Sequence, residues 1–253
     1  MELAPGGVRV WWALLGSVDA ALRSRLERLL DPVERERIAG YRRPADQDRF
    51  LLGAGIVRLG CAAYLDTAPE RIALDRRCND CGKPHGKVRL SEPGAADGGL
   101  RFSVSHSGDW VGVAFARGAE VGLDIEQVRH IDPAELGRLV LAPSETARST
   151  MDFFRYWTRK EAAAKATGDG LRTPLAEIAV SAPDEVPAVR AWPSRADLLP
   201  RLSLYDLADR PGQLTDRPGH LAALAVLTPG PGAHGPHRVT ECDAAELLQA
   251  CTN

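Results

Sequence analysis

The sequence predicts an α+β fold in two parts. Three observations predict it. Apolar residues recur at helical spacing over 19–30, 46–65 and 152–167, period-two alternation marks 100–104, 110–115 and 120–128, and a short reversal at Arg117-Gly118-Ala119 separates two stretches that each hold helices and strands. A chain of 253 residues is long enough for one or two cored domains. Its 44% hydrophobic and 26% charged residues are those of a globular protein, and a net charge of -2 exerts no overall pull toward nucleic acid or an anionic membrane. A local basic patch is possible between Glu34 and Gly55, which holds several arginines and no lysine.

Residues 8–15 read as a strand. This apolar run is too short to span a bilayer and lacks the charged lead and cleavage site of an export signal. The chain is therefore expected in the reducing cytoplasm, with Cys61, Cys78, Cys81, Cys242 and Cys251 as thiols or metal ligands. Leu22, Leu26, Leu29 and Leu30 line one side of the 19–30 helix. Asp31-Pro32 then starts another, the aspartate as cap and the proline in the first turn. Leu51, Leu52, Ile56, Leu59 and Ala63 form the buried stripe of the 46–65 helix. Residues 76–99 are irregular. The strand at 100–104 leads into a turn at 105–108, and further strands follow at 110–115 and 120–128. Helices are expected at 133–141 and at 152–167, the latter ended by Gly168. Strands follow at 178–181, 202–206 and 220–227, and a Pro/Gly-rich link at 228–237 leads to a short helix. The parts are 1–117, 118–227 and a tail, 228–253.

Three segments carry chemistry. In Gly122-Leu123-Asp124-Ile125-Glu126, strand alternation sends Asp124 and Glu126 to one face and Leu123 and Ile125 to the other. Like charges so placed repel, and a divalent cation between them removes the penalty; the plain alternative is a wet sheet face. In the helix, Trp157, Glu161 and Lys165 are spaced by four and share a face. A Glu–Lys pair at that spacing is common on helix surfaces, but seldom beside a tryptophan. His106, between Ser105 and Ser107, is expected in an exposed turn where a protonated ring could meet a phosphate. Cys78-Asn79-Asp80-Cys81, with His85 nearby, has the spacing of half a zinc site or of a plain thiol pair. No Gly-x-x-x-x-Gly-Lys-Ser/Thr loop is present, which argues against a P-loop enzyme.

Together, Val104-Ser105-His106-Ser107, the Gly122–Glu126 strand and Trp157-Thr158-Arg159-Lys160-Glu161-Ala162-Ala163-Ala164-Lys165 resemble the phosphopantetheinyl transferases of the surfactin-synthetase-activating type. The resemblance covers roughly 31–181. It implies a pseudo-twofold pair of α+β halves, sandwich-like, in a monomer. It also implies an enzyme that moves 4′-phosphopantetheine from coenzyme A to a serine of an apo acyl or peptidyl carrier protein, with Mg²⁺ as cofactor and no nucleic-acid or membrane partner. A non-catalytic protein binding coenzyme A or a carrier is the alternative, opposed by the intact acidic trio. By the resemblance Asp124, Glu126 and Glu161 hold the metal, and Glu161 is also the base candidate. Lys165 and His106 hold the pyrophosphate, with Ser105 beside them. Arg49 stands near the adenosine and Arg37 near the 3′-phosphate, and Lys87 of Gly86-Lys87 is a phosphate contact. Glu34 occupies a position that is basic in the family, and Arg42 or Arg43 could substitute. A carrier would dock on 136–151.

Overall fold

The computed structural model describes all residues except 5, 79–80, 84–85, 92–98, 171–172, 208–216, 231–236 and 250–253. His85 and Cys251 therefore lie outside the described residues, as does most of the expected 228–237 link.

Strand β1 (Gly7–Leu14) leads to α1 (Ala20–Leu29), whose first turn is capped by the Asp19 carboxylate accepting from Leu22 N–H. Helix α2 (Pro32–Ala39) opens on a capping box: Asp31 accepts from Glu34 N–H, and Glu34 accepts from Asp31 N–H. Helix α3 (Pro44–Leu65) is the long core helix. Short strands β2 (Leu74–Asp75) and β3 (Arg89–Leu90) pair with each other. Strands β4 (Leu100–Ser107), β5 (Trp110–Arg117) and β6 (Glu120–Gln127) follow, then α4 (Pro133–Val140). Helix α5 (Thr150–Thr167) is capped by Ser149 and ended by Gly168, whose φ of 82° suits glycine. Strands β7 (Ala179–Val180), β8 (Val189–Ala191), β9 (Leu202–Leu207), β10 (His220–Leu227) and β11 (Arg238–Asp243) precede α6 (Ala245–Gln249).

Two sheets form, ordered β11-β1-β5-β4 and β6-β10-β9. Alternation builds the layers. Trp11 and Ala13 of β1 face α1, α3 and α6, while Val8, Val10 and Trp12 face the other sheet. On β10, Ala223 and Ala225 face α5, while Ala222, Leu224 and Val226 meet β1 and β6 residues. The result is helix, sheet, sheet, helix: the sandwich of two α+β halves expected from the sequence. Strand β11, unforeseen, returns to the N-terminal sheet and pairs parallel with β1.

Candidate active site

Val121, Leu123 and Ile125 of β6 enter the core between the sheets, so Gly122, Asp124 and Glu126 face the side on which α5 lies. Gly122 permits that helix to come close. A Cβ there would lie 3.0 Å from Ala166 Cα and nearer still to Ala162 O. The α5 alanines 162, 163, 164 and 166 are fully buried. Small residues on both sides thus seat α5 directly on β6. That seat brings Lys165 Nζ to 2.6 Å from Asp124 Oδ1. Trp157, one face with Glu161 and Lys165, packs against Phe153 at 5.8 Å between ring centroids.

A row of serines joins the two halves. Ser103, Ser105 and Ser107 alternate on β4, and their hydroxyls accept from the N–H groups of Leu123 (3.0 Å), Ile125 (3.2 Å) and Gln127 (3.0 Å) on β6. Ser105 donates to Asp124 Oδ1 at 3.1 Å and Ser107 to Glu126 Oε2 at 2.8 Å. The same hydroxyls that join the sheets therefore orient the acids.

These groups line one cavity of about 460 Å³ between the halves. Asp124, Glu126, Glu161, Lys165, Ser105, His106, Arg37 and Arg49 all lie on its wall, with Trp157 and Arg76. Arg49 is fixed by donating from Nη1 to Asp46 (2.6 Å) and from Nε to Gly108 O (2.7 Å). Burial is the largest influence on Asp124 and pushes its pKa up against Lys165 and Ser105. Burial, then the Asp124 charge, raises both Glu126 and Glu161. His106 is held down by burial against the cavity wall, then by Lys165 and Arg49.

The acids fit a divalent cation. Asp124 Oδ2 is buried without a hydrogen-bond partner, and three repelling carboxylates face a single lysine. Their oxygens are not already gathered: among the described residues no three His, Cys, Asp or Glu side chains form a ready metal cluster.

The structure adds detail to several expectations. Lys87 does not reach the cavity. Its ammonium donates to Glu120 Oε2 (2.7 Å), Ala166 O (3.1 Å) and Val121 O (3.2 Å). The Ser105 hydroxyl is likewise saturated, donating to Asp124 and accepting from Ile125 N–H and Lys165. It orients Asp124 on the cavity wall. His106 lies within strand β4, one residue before its end and paired with Val111, instead of sitting in the turn. Glu34 is buried, bound to Arg58 and Arg76. Arg76 on the cavity wall went unrecognised in the sequence, where only the run Asp75-Arg76-Arg77 hinted at charge. Cys78 and Cys81 form no disulfide with each other.

Comparison with known proteins agrees with this geometry. Residues 20–117 match the N-terminal domain of 4′-phosphopantetheinyl transferases, and residues 120–208 match the 4′-phosphopantetheinyl transferase superfamily. The chain is 32% identical to 4′-phosphopantetheinyl transferase HetI of Nostoc sp., over 82% of this chain and 85% of that protein. It is 29% identical to 4′-phosphopantetheinyl transferase psf-1 of Bacillus pumilus, over 83% and 90%. It is 32% identical to a phosphopantetheinyl transferase of Thraustochytrium sp., over 60% and 57%. With both halves matched and the acidic strand, the helix and the histidine lining one cavity, the chain belongs to the 4′-phosphopantetheinyl transferase superfamily.

Proposed function

We propose that the cavity holds coenzyme A with its diphosphate beside Lys165 and His106, and Mg²⁺ between Asp124, Glu126 and Glu161, in a monomer. Transfer of phosphopantetheine to carrier proteins is the activity of the family to which the chain belongs. The observation that carries the residue assignment is Asp124 Oδ2, a buried carboxylate oxygen with no partner on a wall shared with two further acids.

The carrier serine oxygen attacks the β-phosphorus, and the bond to the α-phosphate oxygen breaks, releasing adenosine 3′,5′-bisphosphate. Serine is a weak nucleophile and needs its proton removed. Glu161 takes it, since burial makes this carboxylate more basic than usual. Lys165, on the same helix face, meets the charge that grows on the leaving phosphate. Bound magnesium supplies Lewis-acid neutralisation of the diphosphate and of the three carboxylates. The N-terminal half contributes Arg37, Arg49 and His106, and the C-terminal half the acids and Lys165. One chain thus provides every wall of the site, which supports a monomer. No helix of the described residues is long and apolar enough to cross a membrane. Leu139 (69% exposed) and Met151 (47%), with exposed Arg148, offer an apolar and basic face to an acidic carrier. Incubation with coenzyme A, Mg²⁺ and apo-carriers should add one phosphopantetheine by intact mass. No mass gain on any carrier contradicts the activity.

His106 gives a pH signature. With its pKa held down, the free imidazole is largely neutral at neutral pH. A diphosphate beside it raises that pKa, so binding takes up a proton and tightens as pH falls from the raised bound value toward the lowered free one. Calorimetry should show this slope in the wild type and a flatter one in His106→Gln. Equal slopes would remove His106 from the diphosphate.

A further inference from the structure

Lys160 is fully buried on α5, one residue before Glu161. A buried ammonium must find acceptors inside the protein. Its Nζ donates to Val140 O at 2.5 Å, to Glu145 Oε2 at 2.5 Å and to Leu175 O at 3.3 Å. Val140 is the last residue of α4, so the cation meets the negative end of that helix. Glu145 is placed as deeply, with 2% of its side chain exposed. Its Oε2 also accepts from Ala142 N–H (2.7 Å) and its Oε1 from Val180 N–H (2.7 Å), while its own N–H donates to Ala142 O (2.9 Å). One ion pair thus ties α5 to the end of α4, to the loop that follows it and to β7.

A buried pair of this kind is often no more stabilising than two apolar side chains of the same volume. Apolar side chains would not supply direction. Here the two charges fix the positions of two carbonyls, on Val140 and Leu175, and of two N–H groups, on Ala142 and Val180.

The segment held in this way has two sides. On the inner side Val140 joins Phe153, Phe154 and Leu221 in a small cluster against which Trp157 packs, and Trp157 lines the cavity together with Glu161. On the outer side Leu139, next to Val140, is among the most exposed large apolar residues, and Arg148 and Met151 are exposed beyond the loop. The end of α4 therefore connects the proposed carrier face to the aromatic wall of the site.

We infer that Lys160 and Glu145 are positioning residues for the second substrate: their buried pair fixes the end of α4 against α5, so that a carrier docked on Leu139, Arg148 and Met151 presents its serine to Glu161. This rests on the carrier face and the base proposed above. Neither residue touches a substrate, and coenzyme A binding does not depend on them.

The test measures kcat/KM for an apo-carrier at saturating coenzyme A, and coenzyme A affinity by calorimetry. It compares the wild type, Leu139→Glu, Glu145→Gln and the double variant Lys160→Met with Glu145→Gln, each checked by thermal melting. The double variant leaves no buried ion unpaired and should melt near the wild type. Its kcat/KM for the carrier should fall about 10-fold, with coenzyme A affinity unchanged. Should it melt early, Glu145→Gln carries the test. That change keeps the shape of the side chain and weakens its link to Lys160, and the carrier value must still fall severalfold. A folded variant with the wild-type carrier value, or one that loses coenzyme A affinity to the same extent, would overturn the inference. Leu139→Glu separates the two readings. A fall there, with none in the variants of the pair, overturns the role of the pair and leaves the carrier face standing. No fall in any variant removes the face and the pair together.

Discussion

Glu161→Gln should lower transfer about 10³-fold while coenzyme A still binds. Glutamine keeps the shape of the side chain and removes both its charge and its basicity. The loss belongs in kcat, because proton removal from the carrier serine is felt only in the transition state. The same change should leave the fold intact or stabilise it. Folding raises the Glu161 pKa through burial and the Asp124 charge, so the native state favours the protonated form. That group therefore costs stability as pH rises from the ordinary glutamate value through the raised one. Glutamine removes that cost. A melting temperature equal to or above wild type, with turnover nearly abolished, is the expected pair of results. Near-normal turnover would show that another group takes the proton.

Gly122→Ala should be costly for a different reason. The added Cβ would strike the α5 backbone at Ala162 and Ala166, not a side-chain tip that could swing aside. Helix α5 must lift off β6, at a cost of about 1–3 kcal/mol for overpacking. Because α5 carries Glu161 and Lys165 while Asp124 stays on β6, the lift separates the acids. A displacement near 1 Å should lower the rate about 10²-fold. Urea unfolding and steady-state rates read the two effects. Wild-type stability together with wild-type rate would mean that the helix is not seated on this glycine.

The paired placement of Asp124 and Glu126 was legible because strand alternation alone fixes it. So was the common face of Trp157, Glu161 and Lys165, since helical spacing is a local property. The caps Asp31 and Gly168 were legible for the same reason. What failed to show depends on partners distant in sequence. Lys87 sits in a suggestive Gly-Lys pair, but Glu120 and the end of α5 take its donors, and nothing near residue 87 says so. The hydrogen bonds that tie Ser105 to Asp124, Ile125 and Lys165 likewise come from distant segments. Nothing in the sequence around Gly122 says that Ala162 and Ala166 of α5 close on it. Strand β11 has no buried alternation to reveal it, because it is a half-exposed edge whose reason to be extended is β1. Glu34 broke the family pattern in sequence, and only the fold shows that it recruits Arg76 from another segment.

The proposed site requires Asp124, Glu126 and Glu161 to share one divalent cation. Mn²⁺ prefers the same hard oxygen ligands as Mg²⁺ and is visible by electron paramagnetic resonance. Titrating Mn²⁺ into the protein with coenzyme A present should show one bound ion per chain in the wild type. That site should weaken sharply in Asp124→Asn, Glu126→Gln and Glu161→Gln, with each variant still folded. Undiminished Mn²⁺ binding in all three would contradict the account.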